Sequence, residues 1–60
     1  MTNSMQQLMT PEEVSGLLQV PIGTLYGWRY KGVGPPAVRI GRHLRYDKSD
    51  VERWLMECKR

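Results

Sequence analysis

From Thr10 to Leu55 the chain is cut by turn residues into pieces too short for anything but helices of two or three turns and one hairpin. Thr10 offers an N-cap, Pro11 fits the first helical position, and Glu13 stands three residues after the threonine, which makes a capping box. Met9 and Val14 occupy the two positions of a hydrophobic staple around it. Val14, Leu17 and Leu18 form the apolar stripe of this first helix, in which Gly16 is tolerated at about 1 kcal/mol. Gln19-Val20-Pro21 ends it, because Pro21 cannot continue a helix but can open the next. A second helix is expected from Ile22 to Lys31, with Gly32 as its C′ residue. Its Leu25 and Trp28 share a face and are expected to pack on the first helix.

Gly32 to Pro36 is a stiff connector, and Ala37 to Tyr46 reads as a hairpin. Val38 and Ile40 alternate onto one side, as do Leu44 and Tyr46. Pairing like with like sets Ile40 opposite Leu44 and Val38 opposite Tyr46. That register leaves a three-residue tip, Gly41-Arg42-His43, and pairs Arg39 with Arg45 on the outer face. Asp47 then caps a third helix, whose first turn carries Asp50 and whose apolar stripe is Val51, Trp54, Leu55 and Cys58. The order is helix, turn, helix, hairpin, helix, a small α+β class. The sequence shows no internal repeat.

Sixty residues allow one domain. Residues 1–7 lack periodicity and read as a disordered segment, leaving 8–60 as the folded unit. Chains of this size bury roughly 60% of the surface their unfolded form exposes, so the core is small and a deep substrate cavity is hard to build. The single cysteine, Cys58, cannot staple the fold internally and fits a reducing cytosol. No apolar run approaches the roughly 20 residues of a membrane span, and Met1 to Met9 lacks the pattern of a secretory signal.

Catalytic residue types are nearly absent. His43 has no triad partner near it in sequence, Cys58 lies on an apolar helical stripe, and one histidine with one cysteine cannot supply the usual four zinc ligands. There is no phosphate-cradling glycine motif, and Glu12 and Glu13 serve the helix start. A non-enzymatic chain without cofactor or metal is expected.

Net charge is +3, and its placement says more than its size. The first 28 residues carry only Glu12 and Glu13, whereas Arg29 to Tyr46 holds Arg29, Lys31, Arg39, Arg42, Arg45 and His43 without an acid. A positive block on a folded hairpin points to an anionic partner, DNA before membrane. On a helical wheel the second helix turns Gly23, Tyr26, Gly27, Tyr30 and Lys31 away from Leu25, with Thr24 on one flank. Tyrosine on such a face can hydrogen-bond phosphate or pack on sugar and thymine methyl groups. Gly23 and Gly27 are either plain helix weaknesses or the means of close approach of the backbone. Arg42, at the hairpin tip, can reach a phosphate or the minor groove. Arg29, nearer the Leu25 flank, either contacts a phosphate or pairs with an acid of another helix.

Five pieces in this order resemble a known family. They are M-T-P-E-E-V-S-G-L-L-Q-V (Met9 to Val20), T-L-Y-G-W (Thr24 to Trp28), K-G-V-G-P-P (Lys31 to Pro36), V-R-I-G-R-H-L-R-Y (Val38 to Tyr46) and S-D-V-E-R-W-L (Ser49 to Leu55). Together they resemble the excisionase-like winged helix-turn-helix domains, which are related to the DNA-binding head of MerR-type regulators. The resemblance covers about residues 8 to 57. It departs from the family pattern at Pro21, where a serine N-cap is common, and at Gly27, where a basic residue often precedes the tryptophan. The family's base-reading pattern therefore does not carry over at position 27.

The resemblance implies a winged helix-turn-helix that binds double-stranded DNA near an attachment site, bends it, and helps an integrase favour excision in the cytoplasm of a bacterial host. A lone domain of this kind makes an interface of roughly 600–1,000 Å², so neighbouring copies side by side on DNA are expected. The alternatives are a small transcriptional regulator of the same fold and a protein-interaction adaptor that uses the Tyr26/Tyr30 face. The chain ends soon after the third helix, so the long dimerisation helix of MerR-type activators is not expected.

Overall fold

A computed structural model describes residues 7–59. Of the segment read as disordered, 1–7, all but the exposed Gln7 lies outside the described residues. The elements in chain order are β1 (Leu8–Met9), α1 (Pro11–Leu18), α2 (Ile22–Lys31), β2 (Val38–Ile40), β3 (His43–Asp47) and α3 (Lys48–Cys58).

The start of α1 is the capping box in full. Thr10 Oγ1 accepts from the Glu13 N–H at 3.1 Å, and Glu13 Oε1 accepts from the Thr10 N–H at 2.9 Å. Its end is less conventional. Gln19, not a glycine, takes the left-handed conformation at φ 59°. For an ordinary residue that costs roughly 1–2 kcal/mol, and local hydrogen bonds offset it. The N–H groups of Gln19 and Val20 both reach the Ser15 carbonyl, and Ser15 Oγ donates to the Val20 carbonyl. The turn between α1 and α2 is thereby fixed.

Pro21 stands at the N-cap of α2, one position before the N1 site that suits proline, and gives no side-chain cap. Its carbonyl accepts from the N–H groups of Thr24 and Leu25 at 3.0 and 3.2 Å. The helix closes in a Schellman motif. Gly32, at φ 79°, donates to the Arg29 carbonyl, and Val33 donates to the Trp28 carbonyl.

The sheet is antiparallel with strand order β1-β3-β2. Its hairpin register differs from the expected one by a single residue. Val38 faces Arg45, Arg39 faces Leu44, and Ile40 faces His43. The tip is therefore the two residues Gly41-Arg42, with Gly41 at φ 62° in the position where a type II′ turn needs glycine. Such turns match the twist of the flanking strands, and that geometry overrides the pairing of apolar residues with each other. A one-residue slip exchanges faces. Leu44 and Tyr46 turn inward, Val38 and Ile40 are left exposed on an edge strand, and Arg39 and Arg45 do not pair. Strand β1, absent from the sequence reading, pairs Met9 with Tyr46 and Leu8 with Asp47 on the other side of β3.

Four side chains are fully buried, one from each principal element: Val14 of α1, Leu25 of α2, Tyr46 of β3 and Val51 of α3. Met9, Leu18, Ile22, Trp28, Ala37 and Leu44 pack around them. Leu25 meets α1 as expected, but Trp28 turns to α3, its ring centroid 5.5 Å from that of Trp54 at 46°. Three expected core residues are not core. Leu17 is 48% exposed, and Leu55 and Cys58 are exposed because the last turns of α3 run beyond so small a core. Asp47 caps α3 by accepting from the Ser49 N–H and Oγ, both at 3.0 Å.

Candidate nucleic-acid interface

Burial of Leu25 and the contact of Trp28 with Trp54 fix the rotation of α2. Gly23, Tyr26, Tyr30 and Lys31 are consequently exposed, and Thr24 and Gly27 are half-buried. Tyr26 is 46% and Tyr30 93% exposed. A Cβ added at Gly23 or Gly27 would meet nothing within 4 Å, so neither glycine is required by packing.

The hairpin stands beside this helix, and between the two runs an open groove of about 510 Å³. Tyr26, Arg29 and Tyr30 line it from α2, and Arg39, Arg42, His43, Leu44 and Arg45 from the hairpin. Seven of the eleven residues singled out in the sequence thus meet in one groove. The other four, Gly23, Thr24, Gly27 and Lys31, stay on α2 outside its lining.

Four arginines and one carboxylate line the groove. The carboxylate is Glu12, which the sequence reading assigned wholly to the helix start. Glu13 makes the capping box, and Glu12, at the next position, turns to the groove. The missed signal is that a capping box uses one acid, leaving its neighbour free. Among the described residues, Arg29, Arg39 and Arg42 have no ion-pair partner, so Arg29 does not pair with an acid of α1 or α3. Arg45 is different, because its Nη1 donates to its own neighbour's carbonyl, Leu44 O, at 2.7 Å. Unpaired guanidinium groups along a groove give it a positive potential of the kind that attracts polyanions.

Tyr46, next in sequence to the groove-lining Arg45, is buried in the core. Burial raises its phenol above the ordinary value of 10.0, the nearby positive charge of Arg29 acts to lower it, and Tyr26 acts to raise it. No group of three or more His, Cys, Asp or Glu residues suited to a metal ion occurs among the described residues. No described helix is long and apolar enough to cross a membrane.

Two helices joined by a tight turn, a hairpin wing and a final helix define a winged helix-turn-helix domain of the DNA-binding class. The chain belongs to the helix-turn-helix domain family, whose model matches residues 8–59, a DNA-binding family that includes excisionase-like proteins. No curated protein and no solved structure matches it significantly.

Proposed function

We propose that this protein is an excisionase-type architectural factor, a non-enzymatic DNA-bending protein that biases an integrase towards excision in a bacterial cytoplasm. The observation that supports this most is the groove between α2 and the wing, with its four arginines and single acid. Helix α2 enters the major groove, and the wing sits on the adjoining backbone with Arg42 reaching phosphate or minor groove. The five sequence pieces resemble excisionase-like domains, and a small transcriptional regulator of the same fold is the second reading. One copy covers little DNA, so several copies bind adjacent sites and shape the duplex together. They carry out no chemistry and need no cofactor.

The test is a titration of DNA flanking the nearest integrase gene, followed by electrophoresis. Successive retarded bands filling over a narrow concentration range, with the mobility of bent DNA at saturation, are expected. Excision by the integrase should then rise when the protein is added. A tight dimer on a single inverted repeat, without bending, would replace this reading with a small transcriptional regulator.

A further inference from the structure

We infer that α2 recognises the C5-methyl groups of thymine in the major groove through the rings of Tyr26 and Tyr30. This rests on the DNA-binding reading and concerns which base feature is read. The helix, Ile-Gly-Thr-Leu-Tyr-Gly-Trp-Arg-Tyr-Lys, contains no Asn, Gln, Asp or Glu. It therefore lacks the amide side chains that pair bidentately with adenine and the carboxylates that accept from cytosine. Its arginine, Arg29, lines the same groove as Tyr26 and Tyr30 but lies close enough to Tyr46 to act on its phenol. Apart from Lys31 at the last position of the helix, what the exposed face offers is aromatic carbon.

Tyr30 stands 93% and Tyr26 46% exposed, one helical turn apart on the same side. Among the described residues neither side chain makes a hydrogen bond. Gly23 and Gly27 beside them leave open space where side chains would stand. The surface is two rings projecting from a bare backbone, which can come close to the groove floor. Apolar contact is the usual way a thymine methyl is read. Residues four apart rise about 6 Å along a helix axis, which spans about two base steps of 3.4 Å each. Two thymines within two or three base pairs of each other are the feature recognised.

The experiment starts from a randomised duplex pool enriched on the protein. The enriched pool is amplified once with dTTP and once with dUTP, which removes every C5-methyl group. Loss of one buried methyl should weaken binding about fourfold, and loss of two about fifteenfold. That ratio should fall to near one for Tyr26→Ala combined with Tyr30→Ala, both exposed positions whose loss leaves the fold intact. Tyr30→Phe, which keeps the ring, should preserve it. Equal affinity of the wild-type protein for both pools overturns the inference while leaving DNA binding in place. A ratio that survives the double alanine variant overturns it too, since the methyl groups would then act through duplex shape. If Tyr30→Phe weakens both pools alike and the ratio is one, the hydroxyl holds phosphate and the methyl reading fails. Failure to retain any duplex from the pool removes the DNA-binding reading along with this one.

Discussion

A Cβ placed on Gly34 would stand 3.0 Å from the Trp28 Cβ and 3.2 Å from its Cε3. The connector thus folds against the tryptophan that carries α2 onto Trp54 of α3, and it does so at φ 84°, where side chains are strained. Gly34→Ala should destabilise the domain by about 1–3 kcal/mol, from overpacking and left-handed strain together. Chemical denaturation would show this as a lower midpoint at unchanged slope. Gly27→Ala is the control. It sits in a helix interior with open space at its Cβ, and should stabilise the fold by up to about 1 kcal/mol. A Gly34→Ala variant as stable as wild type would mean that the connector is not seated on Trp28.

Trp28 and Tyr26 lie on opposite faces of α2 and should respond oppositely to truncation. Trp28 is half-buried between Trp54 and Gly34, so its loss to alanine should cost about 3–5 kcal/mol. A domain of this size has little reserve, and circular dichroism at ambient temperature should show it largely unfolded. Tyr26→Ala should melt close to wild type but bind DNA less tightly. A folded Trp28 variant beside an unfolded Tyr26 variant would place the wrong face of the helix in the core.

Stability should fall on the alkaline side through Tyr46. Burial raises its phenol above 10.0, so the folded state holds the proton more tightly than the unfolded chain. The contribution is fully present below pH 10 and is lost as pH rises through the folded value. Tyr46→Phe keeps the ring in the core and removes the titration. Denaturation midpoints measured from pH 8 upward should drop for the wild type and stay flatter for the variant. Parallel curves would assign the alkaline loss to other groups.

The sequence made the helices legible because their ends are written in local chemistry. Thr10 with Glu13, Gly32, and Asp47 each mark a boundary that the structure keeps. The hairpin register was not legible in the same way. Val38 and Ile40 alternate as if for a core, but the turn at Gly41 sets the pairing one residue away. A two-residue strand such as β1 is too short to carry any alternation, and a glutamine in a left-handed turn has no residue-type signature. The cationic groove was foreseeable as a run of charge. The placement of Glu12 in it depends on how α1 is rotated about its own axis, which only packing decides.

Affinity for duplex DNA should fall steeply with salt. Arg29, Lys31, Arg39 and Arg42 are free of ion pairs among the described residues, whereas Arg45 is engaged by the Leu44 carbonyl. Neutralising about four phosphates per copy gives a slope of log K against log salt near −4. Glu12→Gln removes the one acid of the groove and should tighten non-specific binding severalfold at low salt, with the gain shrinking as salt screens it. A slope near zero would exclude the groove as a polyanion site.

Arg42 is the residue whose removal should separate binding from folding most cleanly. It occupies the second position of the two-residue tip, is exposed, and has no hydrogen bond or ion pair among the described residues. Truncation therefore leaves no cavity and no orphaned partner, and the turn is held by Gly41 at φ 62° rather than by the arginine. Arg42→Ala should melt within about 0.5 kcal/mol of wild type, the usual range for surface changes. Its DNA affinity should fall, and its salt slope should shrink by about one unit as one phosphate contact is lost. Arg42→Lys distinguishes the two ways the tip can act. If the contact is to phosphate, a lysine point charge should restore most of the affinity and the slope. If the guanidinium enters a narrow minor groove, lysine should restore the slope but leave the preference for A·T-rich flanks weakened. An alanine variant that binds as tightly as wild type, with the slope unchanged, would take the wing tip out of the interface and leave α2 to dock alone.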